Sequence, residues 1–276
     1  MCPNCRAFIT TSDKICPYCD VPVGPRAIDR RSPADLLGGL IPHARFTTFV
    51  ILLINFGLYI AMMILSSRLG MGAGFDMDGN ILLAFGGKYG PAITGNGEWW
   101  RLITAGFLHG GLLHILMNSW AMFDLGAQVE QLYGTSRYVV FYIFTTITGF
   151  LASLYWSPGL SIGSSAGIFG LIGAMIAFGV RERSGFGDQV RSMYGRWAVY
   201  GLIFGFIGFF GTDNAAHIGG IAGGFAIGYV AGTPRLIQNA TEKAWNVAAG
   251  LALAATAYAF VEMFLGLVRI LNAQQS

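Results

Sequence analysis

Four polar side chains lie in or beside apolar stretches of this sequence, where their types and spacing could support nucleophilic chemistry. Ser165 begins one such stretch, His217 lies near the start of another, and His114 and Asn118 are four residues apart. A serine hydroxyl becomes a useful nucleophile when a neighbouring base takes its proton, and histidine is the usual base near neutral pH. On a helix, His114 and Asn118 would share one face and could direct an N–H group and an amide at a developing oxyanion.

Each of these residues also has a simpler explanation. A serine near a helix end often bonds to the backbone, and a histidine inside a membrane can be a structural hydrogen-bonding group or a metal ligand. The stretches after Ser165 and around His217 carry glycine faces, made of Gly163, Gly167 and Gly170 in the first and Gly219, Gly220, Gly223 and Gly224 in the second. These faces either serve packing alone or bring two backbones close enough for a Ser–His hydrogen bond of about 3 Å.

The composition shows what kind of element must hold these residues. Of the 276 residues, 54% are hydrophobic and 11% are charged, and the mean hydropathy is +0.57. Soluble domains carry about 25% charged residues, so this chain cannot cover a water-facing surface. The composition excludes a soluble globular enzyme, a disordered chain and a nucleic-acid-binding protein, and the net charge of +3 is too small to indicate an anionic partner. It predicts an all-α polytopic membrane protein.

The positions of the charged residues predict where the chain crosses the bilayer. Apolar stretches of about 20 residues, bounded by charges and by the breaking sequence Trp156-Ser157-Pro158-Gly159, give seven spans at about 46–65, 111–132, 138–156, 165–180, 195–211, 215–232 and 244–268. The second is predicted as a helix although Asp124 and Glu130 interrupt it. A cytoplasmic N-terminus puts 13 of the 17 basic residues inside: Arg6, Lys14, Arg26, Arg30, Arg31, Arg45, Arg137, Arg181, Arg183, Arg191, Arg196, Arg235 and Lys243. The positive-inside rule therefore predicts a cytoplasmic N-terminus and an outer C-terminus, most consistent with a plasma (inner) membrane.

This topology brings the four polar residues to one depth. The second, fourth and sixth spans all run from outside to inside, so His114, Asn118, Ser165 and His217 lie near their outer ends. The topology was assigned from charges alone. The shared depth is therefore independent support for one site in the outer third of the bilayer.

All four cysteines lie in the first 19 residues, as Cys2-Pro3-Asn4-Cys5 and Cys16-Pro17-Tyr18-Cys19. Two such knuckles offer four thiolates at a spacing that suits tetrahedral Zn²⁺, and a reducing cytoplasm favours metal over disulfides. The alternatives are two disulfides or unligated thiols. We predict a zinc-ribbon-like module over residues 1–20, with structural Zn²⁺, followed by a linker over 21–45. The module could fold only for itself, dock a cytosolic partner or act as a sensor.

Together these residues resemble the rhomboid family of intramembrane serine proteases. The resemblance covers about residues 46–232 and rests on Glu98-Trp99-Trp100-Arg101, the series His109, His114 and Asn118, Gly163-Ser164-Ser165, and Ala216-His217-Ile218-Gly219-Gly220. It implies a six-helix core with a water-filled cavity that opens outward and a Ser–His dyad without an acidic third member. The seventh span, within residues 233–276, would be an additional C-terminal helix and tail.

The resemblance also implies a role for individual residues. Ser165 would be the nucleophile and His217 the general base and acid. His114 and Asn118 would form the oxyanion hole with the backbone N–H of Ser165, and Phe169 would hold an aromatic ring beneath the catalytic histidine. The remaining matched positions support the site: Gly163, His109, Arg101 and Gly220. The first loop, Ser66–His109, would be a half-embedded structural element.

Three functions follow for comparison. The first, which the resemblance implies, is an endopeptidase that needs no cofactor for catalysis and cleaves single-pass membrane proteins in or near their transmembrane helix. The family resemblance also implies a preference for small residues before the scissile bond. The second is a catalytically inactive rhomboid-like protein that binds membrane clients, although such relatives typically lack the serine or the histidine. The third is a transporter or receptor, which would predict inverted repeats or polar residues at the bilayer midplane. The sequence shows no convincing repeat, and its polar cluster lies away from the midplane.

Overall fold

Helices form nearly all of the regular structure in the part of the chain that can be described. The computed structural model describes residues 2, 4–5, 9, 13, 15–23, 46–71, 74–207, 212–233 and 240–273. Most of the predicted linker, residues 24–45, lies outside this set. The helices are α1 (Phe46–Arg68), α2 (Gly79–Ala84), α3 (Gly90–Asn96), α4 (Arg101–Thr104), α5 (Leu112–Trp156), α6 (Ser165–Arg181), α7 (Gly185–Phe206), α8 (Asn214–Ala231) and α9 (Ala240–Ala273).

The longest helix, α5, is two antiparallel arms joined at Gly134. The φ and ψ angles of Gly134 are 77° and 162°, which are not helical. The hydroxyl of Tyr138 donates to Met122 Sδ at 3.3 Å. In a straight helix these residues would be about 24 Å apart, so the second arm must fold back along the first. The end of α5 at Trp156 confirms the predicted break at 156–159.

The described helices confirm the predicted all-α membrane architecture. By length and composition, α1, α5 and Ala240–Asn272 of α9 are apolar enough to cross a membrane, and α6 is a shorter apolar helix. With the arms of α5 taken separately, each predicted span falls on one of the described helical segments. The fifth differs most, because α7 begins about ten residues before the predicted start. Its first turn forms in a charged segment, where the Ser184 hydroxyl accepts from the N–H of Gly187 at 3.2 Å.

The first loop is more ordered than the sequence indicated, because it contains the short helices α2, α3 and α4. Arg101 crosslinks two of them. Its guanidinium pairs with Glu98 at 2.5 Å and donates to the carbonyls of Leu83 at 2.8 Å and Gly87 at 3.1 Å. Because every bond lies within the loop, Arg101 stabilises the loop and does not reach the polar cluster.

A buried lysine fastens this loop to the segment that leads into α6. The backbone of Lys88 pairs with that of Ser161 in both directions at 2.9 Å. Its ammonium donates to the carbonyls of Ser157 at 2.5 Å and Gly159 at 2.8 Å. A buried ammonium must be neutralised or hydrogen-bonded. These bonds therefore hold the chain between α5 and α6 against the loop.

The last helix, α9, packs on α5 and on the turn after α4. Arg137 makes a bidentate ion pair with Glu242, at 2.7 and 2.9 Å. The Trp245 ring packs edge-on against Phe141 at 5.9 Å, and Phe260 packs against Phe107 at 5.2 Å. The seventh span therefore contacts the rest of the protein at several points along its length, from Glu242 to Phe260.

Candidate active site

The shortest contact between two polar residues of the predicted cluster joins α6 to α8. Ser165 is the first residue of α6, and His217 lies one turn into α8. The hydroxyl oxygen of Ser165 is 3.0 Å from His217 Nε2. The histidine side chain is buried at 4% exposure, whereas Ser165 is partly exposed. This geometry allows a proton to pass from the hydroxyl to the ring.

Glycines make this contact possible by bringing α6 and α8 together. A Cβ atom on Gly220 would overlap the carbonyl oxygen of Ala166, and one on Gly224 would overlap that of Gly170. Any side chain at these positions would push the helices apart. Ser165 directly precedes Ala166, and His217 lies one turn before Gly220. The close approach at Gly220 therefore sets the distance between Ser165 and His217.

An aromatic ring supports the histidine from below. Phe169, one turn after Ser165, stacks on His217 with 4.0 Å between ring centroids and 15° between planes. A Cβ atom on Gly201 of α7 would overlap the far edge of the Phe169 ring. The space at Gly201 thus fixes how close the phenyl ring lies to the imidazole.

His114 faces the same small space as the Ser165 hydroxyl. A Cβ atom on Gly163 would lie 2.8 Å from His114 Nε2 and 3.5 Å from Ser165 Oγ. The N–H of Gly110 donates to His114 Nδ1 at 3.4 Å, which assigns the proton of the neutral ring to Nε2. His114 therefore directs an N–H donor into the space beside Gly163.

The other predicted residues differ in their relation to His114 and Ser165. Asn118 is buried at 8% exposure, one turn after His114 on α5. His109 is fully buried, lies 3.3 Å from the Ser164 hydroxyl through Nε2, and packs edge-on against His114 with 5.1 Å between centroids. Arg101 belongs to the loop network and is not part of this group.

The sequence reasoning missed one residue of the site, Asn214. Its side-chain oxygen lies 3.3 Å from Nδ1 of His217, the ring nitrogen that faces away from Ser165. The sequence could have predicted this contact, because Asn214 and His217 are three residues apart at the start of one helix and such residues share a face.

A second cluster is formed by the four cysteines. Their sulfur atoms all lie within 4.8 Å of one another. Cys2 and Cys19 are separated by 3.5 Å and Cys5 and Cys16 by 3.6 Å, much longer than the 2.05 Å of a disulfide. Four sulfurs at 2.3 Å from a central Zn²⁺ would be about 3.8 Å apart. The cluster therefore has the dimensions of a tetrahedral thiolate site.

Backbone groups prepare two of these thiols for metal binding. The amide of Cys5 lowers the pKa of Cys2 to about 6, and the amide of Val21 lowers the pKa of Cys19. Burial instead raises the pKa of Cys16. The thiolate is the form that binds metal, so the lowered pKa values of Cys2 and Cys19 favour the binding form.

Comparison with known proteins finds one family model and several similar proteins. The family model for the Rhomboid domain matches residues 96–234. The Bacillus subtilis protein named Rhomboid protease GluP is 36% identical over 178 residues, which are 64% of this chain and 35% of that protein. From Arabidopsis thaliana, RHOMBOID-like protein 4 is 31% identical over 150 residues, 54% of this chain and 38% of its own length. Inactive RHOMBOID-like protein 8 is 34% identical over 138 residues, with coverages of 49% and 39%.

These matches cover between 35% and 39% of the length of the three relatives. This chain therefore spans little more than a third of the length of these relatives. Because the family model spans half of this chain and includes Ser165 and His217, the chain belongs to the rhomboid family.

Proposed function

We propose that this protein is an intramembrane serine endopeptidase that cleaves single-pass membrane proteins in or near their transmembrane helix. The observation that carries the proposal is the 3.0 Å hydrogen-bond distance between Ser165 and a histidine held in place by a stacked ring. The residues used are Ser165 as nucleophile and His217 as general base and acid. No cofactor takes part in this chemistry.

The proposed reaction follows the usual order of acyl transfer. Ser165 Oγ attacks the scissile carbonyl carbon while His217 Nε2 takes the hydroxyl proton. His217 donates this proton to the leaving nitrogen, the C–N bond breaks, and an ester to Ser165 remains. A water molecule then gives a proton to His217 and attacks the ester, and the proton returns to Ser165 as the new carboxyl group leaves.

The oxyanion of each tetrahedral intermediate would lie in the space beside Gly163. The Nε2–H of His114, the Asn118 amide and the backbone N–H of Ser165 are the proposed donors. The Ser165 N–H belongs to the first turn of α6, where no carbonyl of the helix accepts it and the helix dipole favours negative charge. Such donors act strongly where water is excluded.

The substrate must present its peptide bond as extended chain, because the carbonyls of an intact helix are hydrogen-bonded. We therefore expect cleavage where a substrate helix unwinds easily. Membership of the rhomboid family adds the expectation of a small residue before the scissile bond. By the distribution of Lys and Arg, the N-terminus is cytoplasmic, the C-terminus is outside, and the site lies in the outer third of a plasma (inner) membrane. Residues 46–232 would form the catalytic core.

A cleavage assay in proteoliposomes tests this function. Purified protein would be reconstituted with single-span substrates that carry a small residue near the outer end of their helix, and products would be located by mass spectrometry. We expect one main cut within or beside the outer third of the helix. The absence of cleavage across several such substrates, with retained substrate binding, would instead favour an inactive client-binding protein, as the likeness to Inactive RHOMBOID-like protein 8 also allows.

The ring beneath His217 gives a smaller effect that can be measured in the same assay. The methyl group of Gly201→Ala would overlap the Phe169 ring and displace it. Because the ring stacks on His217, the displacement should change the position of the imidazole and lower kcat by about tenfold. Gly195→Ala on the same helix is the matched control, because a Cβ atom there meets nothing within 4 Å. Equal activity of the two variants would show that the stacking distance does not matter.

We also propose that Cys2, Cys5, Cys16 and Cys19 hold a structural Zn²⁺, whose chemistry would be to crosslink the two knuckles. A cytosolic partner for this module is a further proposal. Elemental analysis of the full-length protein should find about one zinc per chain, lost in Cys2→Ser/Cys5→Ser. Cleavage by this variant should stay within about threefold of wild type, because zinc plays no part in acyl transfer. Loss of activity in proportion to zinc would contradict a purely structural role.

A further inference from the structure

His217 uses only one of its two ring nitrogens to reach Ser165. To accept the serine proton, Nε2 must carry a lone pair, so the proton of the neutral ring must be on Nδ1. That tautomer requires an acceptor at Nδ1 if it is to be held. The group in this position decides whether His217 is ready to act as a base.

Asn214 supplies this acceptor, and its own orientation is fixed. The Nδ2 atom of Asn214 donates to the carbonyl of Leu202 on α7 at 3.2 Å. An amide that donates through nitrogen to Leu202 must present its oxygen on the other side, 3.3 Å from His217 Nδ1. The oxygen can only accept, so the ring proton is kept on Nδ1 and the Nε2 lone pair faces Ser165.

Contacts with α7 restrict the orientation of the Asn214 side chain. A Cβ atom on Gly205 of α7 would overlap Asn214 Oδ1. The carbonyl of Gly205 is in turn bonded to the Thr212 hydroxyl at 3.0 Å. The amide therefore contacts α7 on one side and the histidine it orients on the other.

Nearby charged or titratable groups do not replace Asn214. Those that face His217 are Asp213, which precedes α8, and His114 of α5. From α6 the ring meets the uncharged groups Ser165 and Phe169. The Asp213 carboxylate accepts from the N–H of Ala216 at 3.1 Å and from the Ser153 hydroxyl, so it caps the helix.

The geometry points to Asn214 as a positioning residue, which orients His217 as the general base of the Ser165–His217 pair. The inference rests on the proposed protease function. Asn214 does not touch the substrate. It holds the tautomer of His217 and stabilises the protonated ring that forms after the serine is deprotonated.

The test compares Asn214→Ala and Asn214→Asp with wild type in the proteoliposome assay, over a range of pH. Asn214→Ala should lower kcat about 10- to 100-fold with little change in KM, because ground-state substrate contacts are intact. Asn214→Asp keeps an acceptor at this position and should recover most of that loss. Because a carboxylate favours the protonated ring, the acid limb of its pH–rate profile should move up by about one pH unit.

A second pair of variants leaves Asn214 itself unchanged. Gly205→Ala should displace the Asn214 oxygen and lower kcat, whereas Gly195→Ala on the same helix should not. This pair decides the matter if Asn214→Ala fails to fold. A purely structural role predicts lost thermal stability with an unmoved pH profile in the folded fraction, and that result would overturn the inference. If the protease proposal itself is wrong, wild type will show no Ser165-dependent cleavage, a result that differs from the failure of the Asn214 inference.

Discussion

Replacing Ser165 by alanine should abolish proteolysis while the protein remains folded and in the membrane. With the nucleophile gone, no acyl-enzyme can form, and kcat should fall about 10⁴- to 10⁶-fold, as in other serine hydrolases. The side chain is small and partly exposed at the start of α6, so its loss leaves no large cavity. Cleavage of a single-span substrate in proteoliposomes, together with thermal unfolding of each variant, measures both effects.

Ser164 offers a matched control one residue away. It is buried, its hydroxyl lies 3.3 Å from His109, and it makes no side-chain cap for α6. Ser164→Ala should therefore stay within about fivefold of wild type. A fluorophosphonate probe should label Ser165 in wild type and in Ser164→Ala but not in Ser165→Ala. Cleavage by Ser165→Ala at the wild-type rate would assign the activity to another nucleophile or a contaminant.

Gly163→Ala should produce the second largest loss, because it fills the space intended for the oxyanion. The new methyl group would lie 2.8 Å from His114 Nε2 and close to Ser165 Oγ. Disabling one oxyanion donor costs about 10²- to 10³-fold in kcat. We expect this loss in kcat and a smaller change in KM.

The control for this variant is Gly159→Ala in the same connecting segment, where a Cβ atom meets nothing within 4 Å. Gly163 also has φ of +124°, so alanine there is strained by about 1–3 kcal/mol and should lower Tm. Asn118→Ala separates the two effects, since it removes a donor without backbone strain. If Gly163→Ala loses stability but keeps its kcat, the oxyanion does not lie beside this glycine.

Much of the helical architecture was predictable because the membrane imposes it. Apolar stretches near 20 residues with few charges predicted the long helices, and the Trp156-Ser157-Pro158-Gly159 break placed the end of α5 at Trp156. The start of α7 was harder, since charges mark where the bilayer ends and not where a helix ends. With Ser184 as a cap, α7 extends through charged residues before the apolar stretch.

The first loop shows where sequence patterns stop being informative. Helices α2, α3 and α4 are four to seven residues long, too short for a hydrophobic period to be recognised. They are held by bonds between distant groups, such as Arg101 to Leu83 and Lys88 to Ser157. Such contacts depend on the folded chain as a whole.

The sequence could predict which polar residues lie at the same depth, but not which hydrogen bonds they make. Matched depth in the bilayer indicated that Ser165, His217, His114 and Asn118 could form one site. Depth cannot give the orientation of a ring, so the part played by Asn214 became visible only with the bonds to Leu202 and His217.

The ion pair between Arg137 and Glu242 has a consequence for how the chain is made. Its partners are 105 residues apart, and the Arg137 side chain is buried. At about 5–20 residues per second, the ribosome adds the missing carboxylate roughly 5 to 20 s after the arginine. During this interval the growing bundle carries Arg137 without the carboxylate of Glu242, at the position that α9 will cover. Maturation is therefore coupled to delivery of the final helix, and truncating the protein before Ala240 should leave a bundle that membrane quality control degrades faster than the full chain.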